Sequence, residues 1–262
     1  MGTHPLSPTA RTLATDPVTS GAVGIVTALA SEAHALARRS VRVRSASTLG
    51  TGDTLWLAGM GQDAAREGAL ALIRAGADAL VSFGVAGSLA PGLRSCTLFC
   101  PSCVLDERGY DYLPDVQWRA SLISRLTAAH LPLIQEGSLL SLPTPLLTVT
   151  EKGRMRERHQ SLAVDMESAA IGAVAGEHGI PFIVLRAIVD ERDDNIPAPL
   201  HAGVDAWGRP LAGRMLATLL RHPHLLAELP GLATRMGKAT RALRAAALAA
   251  GTGLGRDAAR PC

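Results

Sequence analysis

"TLWLAGMGQDAAREGALALIRAGADALVSFGVAGSLAPG", residues 54–92, holds the pattern on which the fold reading turns. Its first apolar run, TLWL, has the length of a buried strand, and Gly59 and Gly61 then mark a tight turn. From Gln62 the apolar residues recur at helical spacing until Gly76, which reads as a helix stop. Asp78 opens a second continuous apolar run that enters another glycine turn, SFGVAG. Two unalternating strands joined by a crossover helix predict a mainly parallel sheet covered on both faces.

The same alternation extends in both directions. AVGIVTAL (22–29) reads as a strand followed by a helix carrying Glu32. Residues 97–105 read as a strand, 116–129 as a helix and 146–149 as a strand. An Ala-rich helix over 165–178 precedes the apolar strand PFIVLRAIVD, and helices over 210–222 and 231–249 are separated by Pro223 and Pro230. No repeat or linker interrupts the pattern. One α/β domain is therefore expected over 21–250, ending in basic helices at 210–250, with flexible tails at 1–20 and 251–262.

Composition narrows the class. A chain of 262 residues can bury a sizeable core, and 47% hydrophobic against 3% aromatic residues makes that core aliphatic. No apolar run reaches the roughly 18 residues of a spanning helix, and the polar start MGTHPLSPTARTLATDPVTSG lacks the apolar stretch of a signal peptide. Four cysteines do not form a secreted disulfide framework at this length, so a cytoplasmic setting is expected. Residues 201–262 carry nine Lys/Arg against three acids, which leaves the first 200 residues acidic within a net +3. Nucleic acid is not an expected partner.

Several motifs have two readings. CTLFCPSC (96–103) has the C-x3-C-x2-C spacing of a radical iron–sulfur enzyme, but the chain has no Gly-Gly dipeptide for the accompanying amine site. GMGQDA fits a relaxed dinucleotide fingerprint, yet an earlier strand precedes it and Asp78 comes before the next strand. A tight turn beside a site, with N–H groups facing an anion or an attacking water, is the alternative. His34, His130, His159, His178, His201, His222 and His224 are scattered without an HExxH pair and read as surface or structural residues. In AVDMESAA, Asp165 reads as a helix N-cap with Glu167 in the first turn. VLRAIVDERDD places Arg186 inside a buried strand and Asp190 at its carboxyl end, where open α/β sheets bind ligands. Capping and loop solvation explain these acids equally simply when each is taken alone.

Together the motifs resemble a family. VDMESAA followed by RAIVD, with VGIVTALASEAHAL, GMGQDAA and VSFGVAGSLAPGLR in order, is similar to the purine nucleoside phosphorylase and nucleosidase superfamily over about 23–190. SFGVAGSLAP, AVDMES and the tail AGVDAWGRPLAGRMLATLLRHP resemble most closely the hopanoid-associated phosphorylases, which act on adenosylhopane. The resemblance implies a three-layer phosphorylase/hydrolase-like α/β fold and a homo-oligomer needing no metal or organic cofactor. It implies cleavage of an adenine N-ribosyl bond, with a non-catalytic nucleoside-binding protein as the rival reading.

The resemblance also assigns roles. Glu167 takes the place of the glutamate on the ribose diol, and Met166 packs against the sugar. Asp190 takes that of the acid at purine N7, and Glu32 that of the water-activating glutamate. Val85, Ala86, Gly87 and Arg186 complete the expected substrate contacts. Cys96 falls at a turn glycine, Cys100 at a strand valine and Cys103 just beyond Pro101. The chain departs from the pattern in lacking phosphate-clamping arginines in TALASE and SFGVAG, with Val85 at a serine position. That favours water as nucleophile, with phosphate as the alternative co-substrate. Val189 replaces a polar residue, and TVTEKGRMRERHQ has no aromatic shelf for the purine. The helix over 231–249 mixes Leu232, Met236, Leu243 and Leu248 with Arg235, Lys238, Arg241 and Arg244; it is expected to pack on the domain, with contact to anionic membrane as the alternative reading.

Overall fold

The computed structural model describes residues 21–37 and 40–256; the tail expected at 1–20, and residues 257–262 of the one expected at 251–262, lie outside the described residues. The first half of the chain runs β1 (Ala22–Thr27), α1 (Ala30–Leu36), β2 (Ala46–Thr48), β3 (Thr54–Leu57), α2 (Gln62–Arg74) and β4 (Ala77–Ser88). Next come β5 (Leu98–Phe99), β6 (Cys103–Leu105), β7 (Asp111–Tyr112), α3 (Val116–Ala128), β8 (Leu133–Ile134) and β9 (Ser138–Ser141). The last part is α4 (Val149–His159), β10 (Ala163–Asp165), α5 (Ser168–Glu177), β11 (Phe182–Asp190), α6 (Ala198–His201), α7 (Ala212–Arg221) and α8 (Leu229–Ala250). The α/β class expected from the strand–helix alternation is the one found.

β4 is the hub of one mixed sheet. Its first part pairs in parallel with β1 and β11, and β1 pairs in parallel with β3. Its last two residues turn to pair antiparallel with β10, so Gly87 is the partner of both Val164 and Asp190. The ends of β4, β10 and β11 are thereby drawn together at one point. Two apolar clusters fill the space on either side: Ile25, Phe83, Leu122, Leu185 and Leu243 in one, and Ala69, Leu80, Ile171 and Val184 in the other. That is the three-layer arrangement, with helices burying both faces of an aliphatic sheet.

Several boundaries differ from the sequence expectation. SFGVAG does not reverse the chain: β4 continues through it to Ser88, and Gly84 and Gly87 serve close side-chain approach instead. Residues 97–105 break at Cys100–Ser102, where Arg119 takes the freed carbonyl oxygens of Cys100 and Pro101. Residues 146–149 are not a strand; they lead into α4, which the reciprocal Thr148–Glu151 capping box starts. Residues 251–256, expected as tail, fold into a 3-10 turn whose Leu254 is buried and whose Gly253 N–H donates to Asp53 at 2.9 Å. The helix expected over 231–249 packs on α1 and β11 through Ala239, Leu243 and Ala246. The amphipathic helix that buries nothing is α7, whose Leu216 and Leu220 are exposed. Among the described residues no helix is long and apolar enough to cross a membrane.

Candidate active site

The meeting point of β4, β10 and β11 opens into a cavity of about 160 Å³. Glu32, Glu167 and Asp190 wall it, together with Val85, Ala86 and Gly87 from β4 and Met166. Sequence-expected residues from four separate stretches thus face one space. A larger cavity of about 630 Å³ lies between α1, the β2–β3 turn and α8. Its ionisable wall residues are Asp53 and Arg244, and Asp53 is already bonded to Thr51 and Gly253. The smaller cavity is the candidate site, because it gathers the sequence-expected acids.

Glu32 enters from α1 and crosses over β4. Its Oε2 accepts the backbone N–H groups of Ala28 and Leu29 at 2.9 and 2.8 Å, and its Oε1 accepts that of Val85 at 2.8 Å. A Cβ on Gly84 would sit 2.5 Å from Oε1, so this strand glycine is what admits the carboxylate. Burial pushes the Glu32 carboxyl above its ordinary range; Arg186 and the three N–H groups oppose that rise. Two carboxylate oxygens offer about four lone-pair sites, so acceptor capacity remains for a further donor such as water.

Glu167 precedes α5 rather than lying in its first turn, and the N-cap expectation for Asp165 is corrected with it. Asp165 ends β10, accepts the Ser168 hydroxyl at 2.5 Å and pairs with Arg186 at 2.5 Å. Glu167 Oε1 accepts the Gly61 N–H at 2.9 Å. The GMG turn therefore aims its helix-start N–H at the protein's own carboxylate, with Gly61 at a φ of 101° that an L side chain rarely adopts. Burial first, and then the Asp165 charge, raise the Glu167 carboxyl to about 7 against the pull of Arg186.

Arg186, expected as a substrate contact, does not line the cavity. It lies fully buried beneath it, donating to Ser82 at 2.7 Å and Ser168 at 3.0 Å, with Glu167 3.8 Å away. A buried guanidinium needs paired charge, and Asp165 supplies it. Arg186 thus supports the carboxylates from behind. Asp190 stands at the end of β11, passing Gly87, whose added Cβ would lie 3.0 Å from Oδ2. Lys152, 0% exposed on α4, forms an ion pair with the same oxygen. Burial raises the Asp190 carboxyl, and Lys152 pulls it back.

Residues 22–222 match the family model described as the phosphorylase superfamily. The chain belongs to the phosphorylase superfamily. It is thereby an N-glycosyl bond-cleaving enzyme of that superfamily. Among solved structures of similar fold is Helicobacter pylori futalosine hydrolase, at 17% identity and a TM-score of 0.61, over 87% of this chain and 97% of that one. The Campylobacter jejuni 5′-methylthioadenosine/S-adenosylhomocysteine nucleosidase is 17% identical with a TM-score of 0.61, over 70% and 91%. The Helicobacter pylori nucleosidase crystallised with butyl-thio-DADMe-Immucillin-A is 16% identical with a TM-score of 0.61, over 86% and 97%.

Sequence reasoning missed part of this superfamily member's site. Lys152 gave no signal, because one lysine among RMRER charges reads as solvated surface. His201, set aside as surface or structural, is a wall residue, as are Leu146 and Ile196. The cysteines act locally: Cys96 takes a left-handed turn at φ 73°, and the buried Cys100 thiol is pushed up to about 12 by desolvation. Among the described residues no group of three His, Cys, Asp or Glu side chains is placed to hold a metal ion.

Proposed function

We propose that this cavity hydrolyses the N-ribosyl bond of a 5′-substituted adenosine, adenosylhopane being the favoured substrate and ribosylhopane and adenine the products. One observation carries the reading: of the four buried carboxyls that wall one cavity, Asp165 is taken up by Arg186, and Glu32, Glu167 and Asp190 each stand in a different electrostatic setting. Adenine leaves readily once N7 accepts a proton, and Asp190, raised by burial, is the group for that step. The departing ribosyl group becomes cationic, and Glu167 against its diol favours that charge in the transition state. Glu32, bonded through both oxygens but with acceptor capacity left, orients and deprotonates the attacking water.

Water is favoured over phosphate because no Lys or Arg among the described residues lines the cavity, so a phosphate dianion would meet Glu32 without a counter-charge from them. Phosphorolysis is the alternative outcome. Aliphatic Pro145, Leu146 and Ile196 offer an apolar wall to a hydrocarbon 5′ substituent. Membrane contact moves, in this reading, from the packed α8 to α7, where exposed Leu216 and Leu220 stand beside Arg214 and Arg221. The enzyme acts as a homo-oligomer, for which exposed Tyr110, Leu113 and Val116 offer apolar surface.

The test is adenine release from adenosylhopane and from 5′-methylthioadenosine, with and without phosphate. Release without phosphate supports hydrolysis, and strict phosphate dependence overturns it. Adenosine binding without any adenine release would leave a nucleoside-binding protein instead.

A further inference from the structure

Among the described residues, Lys152 is the one buried ammonium beside the cavity, and the mechanism above does not use it. It is the fourth residue of α4, and the Thr148–Glu151 capping box fixes the helix turn that carries it inward. Its Nζ has three hydrogens and three oxygen partners: Asp190 Oδ2, the Glu191 carbonyl at 2.8 Å and the Asp194 carbonyl at 2.9 Å. The side chain is saturated, aimed and shielded from water, and it does not line the cavity. Packing alone does not ask for this, since burying a lysine costs more than burying an apolar residue of similar length.

We propose that Lys152 is the positioning residue of the leaving-group acid, holding Asp190 by Oδ2 so that Oδ1 serves the cavity, and setting by its charge the pH at which that carboxyl holds a proton. This rests on Asp190 acting at the purine. The other charges facing Asp190 leave the task to Lys152. From the loop after β11, Asp194 is paired with Arg235 of α8 at 3.0 Å, and Glu191 with Arg94 at 2.9 Å. Across the cavity stand Glu32, Asp165, Glu167 and His201, and among the described residues no cation is bonded to Asp190 apart from Lys152. Desolvation drives the Asp190 carboxyl upward and Lys152 is the strongest opposing influence, consistent with such a role. Without the ammonium the carboxyl keeps its proton to higher pH.

The experiment compares pH profiles of kcat/KM for adenine release by wild type, Lys152→Met, Lys152→Arg and Asp190→Asn. In Lys152→Met the alkaline fall in rate should move up by about one pH unit or more, whatever happens to its height. In Lys152→Arg the charge stays and the position changes, so kcat should fall while the alkaline limb stays in place. An unmoved limb in Lys152→Met, or a limb shifted by a unit in Lys152→Arg, overturns the proposal. If Lys152→Met does not fold, the Arg variant still decides. Asp190→Asn separates the two layers: full activity there defeats the acid assignment and this inference with it. Loss there alongside an unmoved Met limb defeats this inference alone.

Discussion

Val85 donates its backbone N–H to Glu32 Oε1 at 2.8 Å, and the contact exists because Gly84, one residue earlier, has no side chain. A Cβ at that position would collide with Glu32 Oε1 and with Arg186 Nη1. Gly84→Ala is therefore expected to destabilise the fold by about 1–3 kcal/mol and to displace Glu32. Urea midpoints read the first effect and adenine release the second. A folded Gly84→Ala enzyme with undiminished turnover would show that Glu32 is not needed where it stands.

Arg186 neutralises a site that would otherwise bury Asp165 and Glu167 together. Arg186→Met should cost about 3–5 kcal/mol, because it strands buried carboxylates. Arg186→Lys should recover only part, since the lysine side chain is one bond too short to bring its ammonium to the place where Nη2 meets Asp165, Ser82 and Ser168. Equal stability of the Lys variant and wild type in denaturant titration would contradict this.

Glu167 supplies a pH signature. Its carboxyl rises from 4.5 to about 7 on folding, so the native state holds a proton that the unfolded chain has lost. Its contribution to stability is complete below pH 4.5 and is lost as pH rises through about 7. Wild type should lose on the order of 3 kcal/mol relative to Glu167→Gln over that window. Melting curves of the pair at several pH values check this, and parallel curves would refute it.

Asp190→Asn keeps the shape of the acid and removes its proton. It should lower kcat by about 10²–10⁴-fold, with a smaller change in KM. Steady-state adenine release measures both. A loss confined to KM would make Asp190 a binding group only.

The α7 surface is testable apart from the chemistry. Leu216→Ser with Leu220→Ser touches no buried residue and should leave turnover of a soluble 5′-substituted adenosine unchanged. Flotation with anionic liposomes should be lost in that variant. Equal flotation of wild type and variant would remove α7 from the membrane reading.

Much of the fold was legible because continuous apolar runs, glycine stops and helical spacing act over a few residues. β1, α2, α3 and β11 fall close to where the pattern put them. SFGVAG misled because a glycine in a strand and a glycine in a turn look alike in sequence. The use of Gly84 became visible only with Glu32 and Arg186 lying across it. The GMG turn reads in sequence as a helix start able to face an anion or a water, and in the fold its N–H meets the Glu167 carboxyl, more than a hundred residues away.

The sequence by itself determined the α/β class and singled out three acids as candidates, since residue type and local periodicity are properties of neighbouring positions. Only the tertiary structure decided that Glu32, Glu167 and Asp190 share one cavity, that Arg186 stands behind it, and that Lys152 holds Asp190. Each of those facts depends on burial and on contacts between distant strands and helices. A lysine in a charged helix becomes part of a site only when folding takes it out of water and leaves it carboxylate and carbonyl oxygens as partners.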